Sequence, residues 1–283
     1  MKYRKARPSV FFRGWSKWIR IGVLVVGLLV GTAMWFEENF IYFPSPYDEQ
    51  SYLARPVWVC EEYFTASDGT RLHGWYYPVQ NPDCVVLLSH GNAGNVADRN
   101  ELALLIKRHL RASVFVYDYR GYGRSQGRPS EKGLYRDALA AYQHLTEVLG
   151  TDPQKVVLWG ESLGSGVSIE LACHVPHRAV VLQAPFTSLP DVAGRVFPLV
   201  PLRLLMRNRF DNLTKIQKVA SPKLIIHGTA DSVVPFDMSE KLIAACSPPK
   251  KFIAVPQADH NDLWLVASGE VWKEIAQFLS EQH

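Results

Sequence analysis

The chain has 283 residues, 47% hydrophobic and 20% charged, which suits one large folded domain and argues against a disordered or fibrous protein. Its formal charge of +4 is unevenly placed: residues 1–20 carry Lys2, Arg4, Lys5, Arg7, Arg13, Lys17 and Arg20 with no acid, leaving 24 basic against 27 acidic residues elsewhere. That mildly acidic body excludes a nucleic-acid-binding surface, no internal repeat suggests a solenoid or propeller, and no pattern implies a metal or organic cofactor.

From Ile21 to Phe36 the sequence has no charged residue. With Trp18, Ile19 and a snorkelling Arg20 it reaches the lower end of bilayer-spanning length. Trp15, Trp18 and Trp35 lie near the two ends, where indole rings favour the interface. Basic residues precede the segment, and Glu37 and Glu38 follow it. The expectation is a basic cytoplasmic stretch at 1–18 and a transmembrane signal anchor at 19–36, with the body on the extracytoplasmic side, periplasmic or lumenal. Gly31-Thr32-Ala33 resembles a small-x-small cleavage site, so a cleaved signal peptide competes. Bulky Met34-Trp35-Phe36 directly after it favours the uncleaved anchor.

Residues 37–56, rich in aromatics and prolines, read as a linker before a domain at 57–283. Val57–Phe64 and Arg71–Tyr77 read as strands around the turn Ser67-Asp68-Gly69. Strand and helix then alternate. Strands are predicted at Cys84–Ser89, Ala112–Tyr119, Lys155–Gly160, Ala179–Gln183, Leu224–Gly228 and Phe252–Val255. Helices are predicted at Val96–Leu110, Glu131–Leu149 (capped by Ser130), Ser162–His174, Phe236–Ala245 and Asp262–Leu279. This alternation predicts a mostly parallel sheet with helices on both faces, whose functional residues collect at the carboxyl ends of the strands.

Polar clusters fall at those ends. Gly160-Glu161-Ser162-Leu163-Gly164 follows an apolar strand and opens a small-residue helix, the setting of a nucleophile elbow. A serine nucleophile needs a base, and the base an orienting acid, in the chain order Ser, acid, His. Asp231 follows the strand Leu224–Gly228; a helix cap or Asx-turn is its structural alternative, and Asp237 and Asp262 are rivals. His260 follows the strand Phe252–Val255. Ser89-His90-Gly91-Asn92-Ala93-Gly94-Asn95 follows the first central strand and is positioned to supply an oxyanion amide, for which Asn92 is chosen beside the Leu163 N–H. Asp118-Tyr119-Arg120-Gly121-Tyr122-Gly123 reads as a structural turn under the site. Cys60, Cys84, Cys173 and Cys246 show no zinc spacing and read as thiols or one incidental disulfide. Asn212-Leu213-Thr214 matches a glycosylation sequon.

Together, His90-Gly-Asn-Ala-Gly-Asn95, Asp118-Tyr-Arg-Gly-Tyr-Gly123, Gly160-Glu-Ser-Leu-Gly164, His227-Gly-Thr-Ala-Asp231 and His260-Asn-Asp262 resemble the bud-emergence-suppressor-like α/β hydrolases. The resemblance spans roughly residues 37–283, with the motifs in the same order. It implies an α/β-hydrolase fold with a short cap at about 184–222. It also implies a Ser162–His260–Asp231 triad with oxyanion amides from Asn92 and Leu163, and needs no cofactor. Relatives include lysophospholipid lipases and enzymes that remove palmitate from proteins, so the implied partner is a small acyl ester or lipid, met at a membrane.

The cap holds the apolar run from Val196 to Met206, followed by Arg207 and Arg209. That pattern suits an acyl chain with an anionic head group, and equally the packing face of a short helix. The preferred function is hydrolysis of a lipid-like ester or thioester. A peptidase or amidase on the same triad, and a non-catalytic membrane-tethered binding domain, are the alternatives.

Overall fold

A computed structural model describes residues 37–53 and 55–281, together with 17–22, 24, 25, 27, 31 and 32. The expected anchor at 19–36 and the basic stretch before it therefore lie largely outside the described residues. Among the described residues no helix is long and apolar enough to cross a membrane.

Short β-branched and aromatic runs bounded by turn residues form eight strands. They are β1 (Cys60–Thr65), β2 (Arg71–Tyr77), β3 (Cys84–Ser89), β4 (Ala112–Asp118), β5 (Val156–Glu161), β6 (Ala179–Gln183), β7 (Lys223–Gly228) and β8 (Lys250–Val255). One sheet orders them β8-β7-β6-β5-β3-β4-β2-β1. β2 runs antiparallel to both β1 and β4, and every other pairing is parallel. Every residue of β3, β4, β6 and β7 is buried, as strands covered on both faces require.

Two cores result. On one face Leu134, Ala138, Val167 and Leu242 bring the helices Glu131–Gln143, Leu163–Ala172 and Phe236–Ala245 against the sheet. On the other, Ile106, Leu110, Trp272, Ile275 and Phe278 bring down Asn100–Leu110 and Gly269–Ser280. Each of the large apolar side chains among them, fully buried, contributes roughly 1.5–3 kcal/mol.

Several elements depart from expectation for local reasons. β1 starts at Cys60, because the Val59 N–H closes a turn on the Pro56 carbonyl. The helix predicted from Val96 opens as a 3-10 turn, Val96–Arg99, closed by an Asn95/Asp98 capping box. After Gln143 the long helix widens into a π turn at His144–Val148, where the Thr146 hydroxyl donates back to the Tyr142 carbonyl. The last predicted helix is two, Leu263–Val266 and Gly269–Ser280, interrupted where Ser268 and Gly269 are poor helix formers. That break lets Trp264 stack on Trp272 at 4.5 Å while its indole N–H donates to Gln183 Oε1.

The stretch 37–56 is a packed strap. It carries the helices Glu37–Ile41 and Glu49–Leu53, and Phe43-Pro44 pairs in parallel with Ala93-Gly94. Tyr42 and Tyr52 are buried and need partners: the Tyr42 hydroxyl donates to Asn208 Oδ1 and the Tyr52 hydroxyl to Asp118 Oδ2. The stretch is thus part of the folded body and not a linker to it. All four cysteines are free thiols, with Cys84 and Cys246 buried. Asn212 is buried with its amide donating to the Phe186 carbonyl, so the folded chain has no room for a glycan there.

Candidate active site

Ser162 stands between the end of β5 and the first residue of the helix Leu163–Ala172, with φ 50° and ψ −114°. A serine in that sparsely populated region persists only where its surroundings enforce it. Its N–H donates to the Gln183 carbonyl at 2.9 Å, and its carbonyl accepts from the Ser165 N–H and hydroxyl. The flanking glycines have no latitude. A Cβ on Gly164 would lie 2.0 Å from the Ser89 carbonyl oxygen, and one on Gly160 2.5 Å from that of Gly164. The turn therefore drives helix and strand into contact and lifts the serine above the sheet.

His260 and Asp231 reach Ser162 from the loops after β8 and β7. His260 Nε2 lies 3.0 Å from Ser162 Oγ, and its Nδ1 lies 2.7 Å from Asp231 Oδ2. With Nδ1 carrying the proton toward the carboxylate, Nε2 presents a lone pair to the hydroxyl. The other Asp231 oxygen, Oδ1, accepts from the Val233 and Val234 N–H groups. Burial works to raise the Asp231 carboxyl. Hydrogen bonds from His227 and His260, the His260 charge and the Val234 N–H outweigh it and hold the group well below the usual carboxylate range.

Both rivals point elsewhere. Asp262 accepts from the Asp259 N–H, and Asp237 pairs with Arg195 and Lys241. The residue that sequence reading passed over is His227. Its Nε2 faces both Asp231 Oδ2 at 3.0 Å and the Val234 carbonyl at 3.1 Å, and its Nδ1 meets Ser239 Oγ at 2.5 Å. Two acceptors facing Nε2 fix the proton there, so His227 is a second, fully buried donor that orients the acid. Its place four residues before Asp231 on a strand end was the one available signal.

Asn92 and Leu163 meet Ser162 on the wall of one cavity. Leu163 opens a helix, so its N–H has no intrahelical acceptor. The loop bearing Asn92 is held from three sides. The Asn92 carbonyl accepts from the Phe43 N–H and the Tyr122 hydroxyl, the Tyr119 hydroxyl donates to the His90 carbonyl, and the Asn92 side chain donates to the Ile41 carbonyl. The turn at 118–123 is thus structural, propping this loop with two tyrosines. Beside the loop, Arg99 Nε donates to Glu161 Oε2 at 2.7 Å and Arg99 Nη2 to the Ala93 carbonyl at 3.1 Å. One guanidinium therefore ties the loop to the elbow.

The cavity holds about 540 Å³, within the roughly 300–1,000 Å³ of small-molecule sites. Ser162 and Leu163 line it, with Phe186, Val192, Val196, Phe197, Leu205 and Met206 among its apolar walls. The cap folds as Leu189–Val196, Leu202–Leu205 and Asn212–Lys215. Val196, Phe197, Val200, Leu202, Leu205 and Met206 of its apolar run line the cavity, and its arginines are ion-paired: Arg203 with Asp191, Arg207 with Glu37 and Glu38, Arg209 with Asp211. Arg207 and Arg209, beside which an anionic head group and helix packing are equally open readings of the sequence, thus each meet a carboxylate of the chain. Glu37, Phe40 and Ile41 of the strap complete the wall. Among the described residues no group of three His, Cys, Asp or Glu is placed to hold a metal ion.

The family model for the alpha/beta hydrolase fold matches residues 85–207. The chain is 38% identical over 273 residues to the uncharacterized protein Rv2307c of Mycobacterium tuberculosis, covering 92% of this chain and 94% of that one. It is 32% identical over 286 residues to the alpha/beta hydrolase domain-containing protein WAV2 of Arabidopsis thaliana, covering 92% of each. Among solved structures, the Pyrococcus furiosus esterase Pf2001 aligns with a TM-score of 0.66 at 19% identity, across 86% of this chain and 98% of that one. At that identity the likeness is one of fold.

Proposed function

This chain belongs to the α/β-hydrolase family, and from that premise we propose that it is a membrane-anchored serine hydrolase of lipid-like acyl esters or thioesters. The observation that carries the reading is the hydrogen-bonded chain Ser162–His260–Asp231, whose serine lines an apolar cavity of about 540 Å³. Its motif set favours the bud-emergence-suppressor-like branch, near α/β-hydrolase domain-containing protein 13. Residues 19–36 are assigned to the bilayer, with 1–18 cytoplasmic and the body beyond the membrane, because the segment Ile21–Phe36 is uncharged and a basic cluster precedes it.

In the reaction, His260 Nε2 takes the Ser162 proton as Oγ attacks the acyl carbon. The carbonyl oxygen turns to an oxyanion that the Leu163 and Asn92 amides are positioned to meet. Asp231, held ionised, stabilises the imidazolium, which returns the proton to the leaving alcohol or thiol. Water then enters by the same base and releases the acid. Peptide hydrolysis on these residues has less support. Glu37 is the one carboxylate on the cavity wall among the described residues, and it already accepts from the Arg207 and Asn208 N–H groups rather than awaiting a peptide amine.

Fluorophosphonate labelling and hydrolysis of p-nitrophenyl esters of increasing chain length test the reading. Ser162→Ala is expected to abolish labelling, and Asp231→Asn to lower turnover by about 10⁴-fold through the wrong His260 tautomer. Folded wild-type protein that takes no label would sink the hydrolase reading and revive the binding-domain one.

A further inference from the structure

The cap exposes large apolar side chains that no other described residue covers. Leu199 is 96% exposed, Leu204 85%, Val196 68% and Phe197 57%, and on the strap Phe40 is 72% exposed. Val196, Phe197 and Phe40 also line the cavity above Ser162, so this patch is the rim of the site and not a separate surface. Soluble proteins rarely leave such clusters bare unless a partner or membrane covers them.

Chain order identifies the partner. The uncharged run ends at Phe36, and the next residue, Glu37, already stands on the cavity wall with Phe40 and Ile41. Glu37–Ile41 is one helical turn, which advances only about 6 Å at 1.5 Å per residue. The interfacial layer on each side of the hydrocarbon core is roughly 5–7 Å deep. A segment leaving the bilayer at residue 36 therefore delivers the cavity rim into the head-group layer. Charge narrows the choice further. Around the rim, Arg195 pairs with Asp237, Arg203 with Asp191, and Arg207 with Glu37 and Glu38. The surface offers matched charges and apolar tips, which suit zwitterionic lipid and need no anionic head group.

We propose that the cavity rim, formed by Phe40 and the cap residues 196–204, docks into a zwitterionic phospholipid bilayer, so that acyl substrate enters the site from the membrane. This rests on the anchored-hydrolase reading, which it deepens by naming a bilayer-resident substrate. The test reconstitutes the full chain into phosphatidylcholine vesicles containing a phosphatidylcholine with a diazirine on its acyl chain, then maps adducts after irradiation. Adducts are expected in peptides covering 196–205, and they should disappear in the Leu199→Asp/Leu204→Asp variant, whose altered residues stand outside the cavity wall. The same variant should hydrolyse a bilayer-dissolved long-chain ester about tenfold or more slowly. Its rate on water-soluble p-nitrophenyl butyrate should stay within about twofold of wild type, since no residue of the cavity changes. Adducts confined to residues 17–36, or equal losses on both esters, would overturn the proposal. Adduct mapping needs no turnover, so a failure of Ser162 labelling and a failure of bilayer docking are read separately.

Discussion

His90 sits in the loop that carries Asn92, with its ring centroid 4.2 Å from that of Tyr119, fully buried. Its Nδ1 meets the Gly91 carbonyl, while Nε2 has no hydrogen-bond partner. Burial, aided by the nearby Arg99 charge, lowers its pKa to about 4. An unfolded histidine titrates near 6.5. Above pH 6.5 both states are neutral and this residue leaves stability unchanged. Between about 6.5 and 4 the unfolded chain binds a proton that the folded chain refuses, so stability falls as pH falls. At pH 4.5 the loss amounts to about 2–3 kcal/mol from this residue. Urea unfolding at pH 7 and pH 4.5 measures it: His90→Asn should remove most of that difference. An unchanged acid sensitivity would place its origin elsewhere.

At the scale of elements, the proposed mechanism depends on two backbone pieces that belong to different strand ends. Leu163 follows β5 and Asn92 follows β3, and their amides are useful only at a fixed separation. Gly160 and Gly164 set the elbow, while the Arg99–Glu161 pair and the Ala93 carbonyl tie the loop to it. Arg99→Gln is expected to lower kcat about tenfold with KM nearly unchanged, a shift smaller than loss of a whole oxyanion donor. Affinity for a trifluoromethyl ketone should fall in parallel, because that adduct uses the same amides. Arg99→Gln/Glu161→Gln should be no worse than either single variant, as expected of one coupled pair. A KM effect alone would show that the pair merely shapes the substrate wall. The motif carrying Ser162 was legible in the sequence, since strand, glycines and helix are neighbours along the chain. So were Asp231 and His260, each in the loop after an apolar run. The brace was not, because Arg99 and Glu161 lie 62 residues apart and no local pattern pairs them.

At the scale of the molecule, the strap and cap form one lid over the sheet. Residues 37–56 look like a linker along the chain because their aromatics show no helical or strand period. Their order comes from partners about 50 to 170 residues away, which only the folded chain assembles. The cap arginines read as a cationic patch along the chain, yet each meets a carboxylate in the fold, from Asp211 two residues beyond Arg209 to Glu37 170 residues before Arg207. Two carboxylates clamp the cap's return limb. Glu37 accepts from the Arg207 and Asn208 N–H groups, and Glu131 from those of Arg209 and Phe210. Deleting Glu37 leaves two backbone donors unmatched at a part-buried site, at a cost of about 1–3 kcal/mol. Glu37→Ala should therefore unfold at lower urea and be cut by trypsin faster at Arg203 and Arg207, with Glu37→Gln intermediate because its amide oxygen still accepts. If the strap only tethers the body, Glu37→Ala will keep wild-type cleavage at these arginines. If it closes the site, loosening the limb will also raise KM for long-chain esters more than for short ones, since the longer chains use the wall that Glu37 and Met206 share.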